Sequence, residues 1–329
     1  MQVLIAFLSQ NKAWVLPRRF VEQLRRDFPH HVFLDVWDQP TLDRLVPDAD
    51  VAFTASIDRS KLPSYPRLKW VQSPAAGVGG LMSPELAAGP IVVTSARGIR
   101  ARSIAEHVLG VTIALARQLH VAVRRQTEHR WALDEIESGG RVMTLKGRRL
   151  LIVGLGSIGL EVARLAAPFG MRVSAIRKRV GAPVPDDVRV DEIQGLDHFT
   201  DLLGRTDVIV LSVALTAETR GLIGPATLPH VKPRTLLINV GRGRLIDDEA
   251  VIGALRDGRL GGAALDVFVR EPLDAASPYW DLPNVIVTPH VSGTMENYWP
   301  PLVELFAENL RRFEYGQPLL NVVDKQAGY

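Results

Sequence analysis

At 329 residues the chain exceeds what one hydrophobic core usually serves, so two domains are expected, and 47% hydrophobic with 23% charged residues excludes a disordered or fibrous chain. Lys and Arg number 39 against 36 Asp and Glu, and the basic residues are scattered, which argues against nucleic acid as a partner and suits small anions such as carboxylates and phosphates. Cysteine is absent, which removes disulfides, thiolate nucleophiles and Cys-ligated zinc together.

Met1 to Phe7 runs straight into apolar residues without the basic lead and cleavage site of a signal peptide, and it reads as a first strand. No apolar stretch reaches the ~20 residues that a membrane helix needs, so a soluble, cytoplasmic protein without a membrane partner is expected. From there to about Thr94, short apolar runs (Val3–Phe7, Val32–Val36, Val51–Thr54, Lys69–Gln72, Ile91–Val93) alternate with amphipathic segments such as Phe20–Phe28. That alternation predicts a parallel sheet.

Ile104, Val108, Val111, Leu115, Leu119 and Ala122 recur at three- and four-residue steps, which predicts one long helix bridging two domains. His107 lies beside that apolar face and reads as a packed histidine. After Gly139-Gly140 a second alternation begins: Arg149–Val153, Arg172–Ile176, Val208–Val213, Thr235–Val240, Ala263–Val267 and Val285–Thr288. These runs are apolar throughout, as parallel strands covered by helices on both faces require. Trp299, Leu302, Leu305, Phe306 and Leu310 mark a last amphipathic helix that is expected to return to the first domain. The reading is α/β throughout: two doubly wound, Rossmann-like domains with parallel sheets. A dinucleotide-binding domain at 99–289 is inserted in a substrate domain made of 1–98 plus 290–329.

Gly154-Leu155-Gly156-Ser157-Ile158-Gly159 fits GxGxxG and stands between the apolar strand ending at Val153 and a helical segment through Ala167. Gly154 permits the turn, Gly156 admits the pyrophosphate, and Gly159 allows close helix–strand packing, while the helix N-terminus offers free N–H groups to phosphate. Where an NAD-selective site expects an acidic residue at the end of the next strand, Arg177-Lys178-Arg179 stands instead. Three cations there favour NADP(H) over NAD(H), since a guanidinium pairs with a 2′-phosphate; a solvated basic turn is the alternative.

Three further segments end strands of the same sheet: Asn239-Val240-Gly241-Arg242-Gly243, Ala264 through Pro272 with Asp266 and Glu271, and Thr288-Pro289-His290. Ligands of open α/β sheets bind beyond the carboxyl ends of the strands, so Arg242, Glu271 and His290 are candidate functional residues. Singly, each has an ordinary explanation: a surface Arg, a Glu before a proline, a strand-end His. Together at three strand ends they read as one site.

These segments, with the glycine turn, resemble the D-isomer-specific 2-hydroxyacid dehydrogenase family. The likeness runs along nearly the whole chain through Leu68–Ser73 leading into Ala76-Gly77-Val78, Ala96–His107 and Glu218–Ile223. The resemblance implies a flavodoxin-like substrate domain and reduction of a small 2-keto acid to the D-2-hydroxy acid, with glyoxylate and hydroxypyruvate the leading substrates. It assigns Arg242 to orient the keto acid, His290 to give the proton and Glu271 to steady the imidazolium. Ala76, Gly77 and Val78 would receive the substrate carboxylate on backbone N–H groups. Val213, Val240, Gly241, Asp266 and Ser292 would line the cofactor site, although Asp266 reads equally as structural. A homodimer is implied as well.

Departures from the family pattern are few. Gly79 stands where many members carry Asp or Asn, and Ala214 and Ala217 replace prolines in the loop 213–219, which should loosen it. Glu271 argues against a formate oxidase, whose relatives carry Gln there; phosphite oxidation and a dinucleotide-sensing protein of corepressor type remain rivals. Trp131, Tyr298 and Trp299 are candidates for the substrate pocket, with core or interface packing preferred. No metal is expected, because the adjacent His30-His31 is the closest histidine pair and it is remote from the motifs.

Overall fold

The alternation of apolar runs and amphipathic segments resolves into parallel strands joined by helices. The computed structural model describes residues 1–9, 14–58, 60–79 and 81–326 and divides into two compact units, Met1–Ile99 with Met295–Tyr329, and Arg100–Thr294. His290 to Thr294, grouped with the first part in the sequence reading, fall in the second unit. Among the described residues no helix is long and apolar enough to cross a membrane.

The first unit holds β1 (Gln2–Ala6), α1 (Arg18–Asp27), β2 (Val32–Val36), α2 (Gln39–Leu45), β3 (Val51–Thr54), β4 (Trp70–Gln72), α3 (Pro84–Ala88) and β5 (Val92–Thr94). Its described strands pair in parallel in the order β2-β1-β3-β4-β5, the flavodoxin-like order. Local chemistry starts the helices: Asp38 accepts the Thr41 amide at the head of α2, and Ser83 accepts the Leu86 amide at the head of α3. The chain's last helix, which spans Trp299–Glu314, packs in this same unit. Its buried stripe of Leu302, Phe306 and Leu310 meets Val3, Phe53 and Trp70, and the Phe306 ring stacks on Phe53 at 4.3 Å. Truncating such a fully buried aromatic costs about 3–5 kcal/mol.

The second unit opens with α4 (Ala101–Ala116), α5 (Leu119–Thr127) and α6 (Leu133–Ser138). The single helix read from the periodicity is two helices, because Gln118 takes a left-handed backbone (φ 57°) and its side-chain amide donates to the Leu115 carbonyl at 2.8 Å, closing α4. A continuous apolar stripe does not reveal such a break. Next come β6 (Arg149–Val153), α7 (Ser157–Ala166), β7 (Arg172–Ile176), β8 (Glu192–Gln194), α8 (Phe199–Leu203), β9 (Val208–Leu211), β10 (Thr235–Asn239), α9 (Asp248–Arg256), β11 (Leu260–Leu265) and β12 (Val285–Val287), so that Trp299–Glu314 is α10. The described strands form one parallel sheet, ordered β12-β11-β10-β9-β6-β7-β8.

β8 escaped the sequence reading because its half-buried Glu-Ile-Gln has neither an apolar run nor alternation. β6, β9 and β10 are buried on both faces between two apolar clusters, as their continuous hydrophobic runs require. The strand order reverses between β6 and β9, the point at which sheets of this kind bind ligands.

Candidate active site

The glycine turn follows β6 at that reversal. Gly154 has φ +100° and lies against β9's exit: a Cβ on it would stand 2.7 Å from the Val213 backbone, and the Ser212 hydroxyl donates to the Gly154 carbonyl at 3.0 Å. A Cβ on Gly159 would collide with that same carbonyl, so the glycine lets α7 pack on the turn. Gly156, which caps α7, has nothing within 4 Å of its would-be Cβ. Tight packing at two glycines and open space at the third, beside a ten-residue helix whose first amides have no i−4 acceptor, is the cradle a pyrophosphate fits.

The basic turn after β7 divides into two parts. Arg177 is half-buried, and its Nη2 donates to the Val180 carbonyl at 2.8 Å and also to the Ala182 carbonyl, so it braces its own loop. Lys178 and Arg179 are exposed.

β10, β11 and β12 are neighbours, and their carboxyl ends carry Arg242, Glu271 and His290. Fully buried Asn239 shapes the first of these ends: its Oδ1 accepts the Gly241 amide at 3.1 Å and its Nδ2 donates to the Arg242 carbonyl at 3.0 Å. Arg242 is exposed, with Nη1 donating to the Gly241 carbonyl at 2.6 Å. A Cβ on Gly243 would overlap the Phe268 carbonyl group and the Val269 nitrogen, so the loops after β10 and β11 pass each other here in backbone contact. Asn239 and Gly243 had no assigned role in the sequence reading; an Asn at a strand's last position, followed by a Gly-rich turn, is the signal that could have found them.

Past β11, Glu271 turns back on its own loop. Oε1 accepts the Phe268 amide at 2.9 Å, and Oε2 lies 2.7 Å from His290 Nδ1. The His290 side chain is 52% exposed, and with Nδ1 engaged its Nε2 is left for a ligand. Its backbone is left-handed (φ 54°), a conformation uncommon outside glycine, and its amide lies within hydrogen-bonding distance of the Asp266 carbonyl at 2.9 Å and the Thr288 carbonyl at 3.0 Å.

Asp266 is the hub beneath. It is 1% exposed, and its carboxylate accepts the Thr288 hydroxyl at 2.6 Å, the Val291 amide at 2.9 Å and the Ser292 amide at 3.0 Å. Those bonds hold the backbone on both sides of His290. The buried Ser292 and Val240 flank this end, and half-buried Val213 lines the exit of β9. His107, on α4, sets its Nε2 3.4 Å from the Thr288 hydroxyl, and burial holds its pKa below the usual histidine range against the opposing pull of Asp266.

The loop 213–219 is held by a different means from proline. Thr219 Oγ1 donates to the Ala214 carbonyl at 2.8 Å and accepts the Thr216 amide at 2.8 Å, which offsets the loss expected from Ala214 and Ala217.

In the first unit, Ala76, Gly77 and Val78 follow β4. Among the described residues their amides donate no hydrogen bond, while the neighbouring chain is fixed through Ser73 N to the Thr94 carbonyl at 2.8 Å, Ala96 N to the Ala75 carbonyl at 3.0 Å, and the Tyr298 hydroxyl to the Pro74 carbonyl. Free amides on a braced loop suit an anion. Behind them lies a buried network in which Trp70 Nε1 donates to Thr94 Oγ1, Thr94 donates to Gln72 Oε1, and Asn309 Nδ2 donates to the same oxygen. Tyr298 is buried and Trp299 packs edge-on against Phe7, whereas Trp131 is 89% exposed and belongs to no core.

Residues 109–292 match the family model of the D-isomer specific 2-hydroxyacid dehydrogenase NAD-binding domain. The chain is similar to a glyoxylate reductase of Aeropyrum pernix, 32% identical over an alignment of 336 positions that covers 94% of this chain and 96% of that one. Among solved structures it is similar to a D-isomer specific 2-hydroxyacid dehydrogenase family protein of Aeromonas salmonicida, with 33% identity and a TM-score of 0.81 over 98% of this chain and 99% of that one. It is also similar to an NADPH-dependent glyoxylate/hydroxypyruvate reductase of Sinorhizobium meliloti in complex with NADP and sulfate, with 28% identity and a TM-score of 0.77 over 100% of this chain and 99% of that one.

Proposed function

The chain belongs to the D-isomer specific 2-hydroxyacid dehydrogenase family and is an oxidoreductase, and we propose that it reduces a small 2-keto acid, glyoxylate or hydroxypyruvate, to the D-2-hydroxy acid with NADPH. The observation that carries this reading is the 2.7 Å pairing of His290 with Glu271 on the sheet that also holds Arg242 and the glycine turn. When bound, the reduced nicotinamide supplies the hydride to the carbonyl carbon. The amides at the start of α7, opened by Gly156, would hold the pyrophosphate.

Arg242 offers a planar fork to the substrate carboxylate and carbonyl oxygen. His290 gives the proton on Nε2 to that oxygen, so the carbonyl gains a hydrogen on carbon and one on oxygen. Glu271, tied to the Phe268 amide, keeps the ring oriented and compensates its charge. On the first unit, the free amides of Ala76, Gly77 and Val78 suit an anion such as a carboxylate. Asp266 acts through the backbone around His290 and so is a positioning residue.

Exposed Lys178 and Arg179 support NADP(H), since cations at this turn offer charged donors to a 2′-phosphate, and the NADP bound to the Sinorhizobium meliloti relative supports the same cofactor. The exposed apolar side chains Leu119, Val123, Trp131 and Leu133, on α5, on α6 and between them, support a homodimer. The test is initial rates on a panel of 2-keto acids with NADPH and NADH side by side. Turnover of glyoxylate or hydroxypyruvate with higher kcat/KM for NADPH is expected. Cofactor binding without turnover of any keto acid would instead support a sensing role, and oxidation of phosphite alone would support the phosphite reading.

A further inference from the structure

His30 and His31 follow the end of α1, and the fold sets against them Glu314, the last residue of α10, some 280 positions away. His30 Nε2 lies 2.7 Å from Glu314 Oε1, and His31 Nε2 lies 3.8 Å from Glu314 Oε2, outside hydrogen-bonding distance. One donor atom from each of the three residues lies within 4.8 Å of the others.

The second observation is the state of His31. Its side chain is only 3% exposed, yet neither ring nitrogen meets a hydrogen-bonding partner in good geometry among the described residues. Buried polar groups are nearly always satisfied, so an imidazole with two orphaned nitrogens beside a carboxylate calls for a ligand.

We propose that His30, His31 and Glu314 form a binding site for a divalent transition-metal ion of the zinc type, separate from the dehydrogenase chemistry. Around a tetrahedral ion with bonds of about 2.0–2.2 Å, ligand atoms stand roughly 3.3–3.6 Å apart. The 2.7 Å and 3.8 Å contacts run to different oxygens of Glu314, and the three donor atoms lie within 4.8 Å of one another, so side-chain rotation has to draw them in to that spacing. Two imidazoles with one carboxylate select zinc, nickel or copper over magnesium or calcium, which prefer all-oxygen shells. Glu314 also sits at the carboxyl end of a sixteen-residue helix, where its charge adds to the helix's own partial negative charge and a cation is favoured. Arg311 and Arg312, the cations in the last turn of α10, both pair with Glu308, and Arg311 also lies over the Phe28 ring. An ion held here would clamp the α1–β2 turn to the end of α10 and stabilise the first unit by linkage.

The test is calorimetric titration of zinc ion alone into the untagged, chelator-stripped full chain and into His30→Ala and Glu314→Gln. Both substitutions alter partly exposed side chains, so the fold is kept. One equivalent of zinc is expected to bind and to raise the melting temperature. Each variant should lose more than about tenfold in affinity, the loss that even outer-shell partners of a metal ligand bring. No binding by the unaltered chain, or undiminished affinity in either variant, overturns the proposal.

Discussion

His290 Nδ1 lies 2.7 Å from Glu271 Oε2, while the other oxygen of Glu271 accepts the Phe268 amide at 2.9 Å. One carboxylate is thus fixed to its own loop and to the imidazole at once, so the two residues separate by role. With His290 as the proposed proton donor, His290→Asn should lower kcat by about 10²–10⁴, the usual contribution of a general acid. Glu271→Gln retains an acceptor for the Phe268 amide but loses the charge, and its fall in kcat should be smaller, with KM for the keto acid little changed. Steady-state rates on the preferred keto acid check both. An unaltered kcat in His290→Asn would remove His290 from the chemistry.

Asp266 shows how a site residue is supported from below. Its two oxygens serve one hydroxyl and two backbone amides around His290. Asp266→Asn can face an acceptor toward only one side, leaving an amide opposed by the side-chain NH₂. Each buried donor left unpaired costs about 1–3 kcal/mol. Lower stability in urea and a loss of kcat are expected together, because the left-handed backbone at His290 depends on the same bonds. A variant with full activity and unchanged unfolding would show the hub to be dispensable.

The glycine turn separates folding from binding. At Gly159 an added methyl meets the Gly154 carbonyl and, at 3.0 Å, the Ile152 side chain, so Gly159→Ala should destabilise the unit and weaken nucleotide binding. At Gly156 the same methyl meets nothing within 4 Å. Gly156→Ala should therefore unfold like the unaltered chain while its nucleotide affinity falls, because the methyl would stand in the proposed pyrophosphate site. Melting curves with a fluorescence titration of NADPH check the pair; equal nucleotide affinity in Gly156→Ala and the unaltered chain would place the pyrophosphate elsewhere.

What the sequence displayed was governed by what burial and strand ends demand. β3 and β6 were legible to the residue because parallel strands buried on both faces must be almost wholly apolar, whereas β2 and β7, which carry Asp35, Arg172 and Ser174, were read from the apolar residues around those positions. The break at Gln118 was hidden because α4 and α5 share one apolar periodicity and the break lies in a single backbone angle. At the site, the residues whose side chains face outward were visible as chemistry out of place at strand ends. Asn239, Gly243 and Thr288 were not, since their role is to hold backbone, and the partners they hold are set by tertiary approach. Glu314 beside His30 and His31 is the extreme case: nothing in the local sequence of α10 announces the histidines.

The basic turn after β7 yields a prediction about cofactor choice. Arg177 is committed to the Val180 and Ala182 carbonyls, so the exposed Lys178 and Arg179 are the cations offered to a 2′-phosphate. Lys178→Ala with Arg179→Ala should raise KM for NADPH about tenfold or more, since a hydrogen bond to a charged group contributes about 1.5–3 kcal/mol. KM for NADH should stay near its original value, and the NADPH effect should shrink at high salt. Equal effects on both cofactors would mean that the two cations act on the fold or on the shared pyrophosphate.

Asp207, at the amino-terminal edge of β9, ties that strand to β6 and to the approach to β10. Its carboxylate accepts the Arg149 amide at 2.9 Å, Lys232 Nζ at 2.6 Å and Arg148 Nη1 at 3.4 Å. Burial works against its ionisation, but the amide and the two cations outweigh burial and hold its pKa below the usual carboxylate range. A depressed folded pKa means that the unfolded chain takes up a proton before the folded chain does, so stability rises with pH across that interval. The contribution is fully present above the unfolded value of about 3.9 and is lost as pH falls through the folded one. Asp207→Asn should therefore lower the urea midpoint by a constant amount from pH 5 to 8, and the gap to the unaltered chain should narrow below about pH 4. A gap that is the same at pH 3 and pH 7 would show that Asp207 acts by shape and hydrogen bonding and not by its charge.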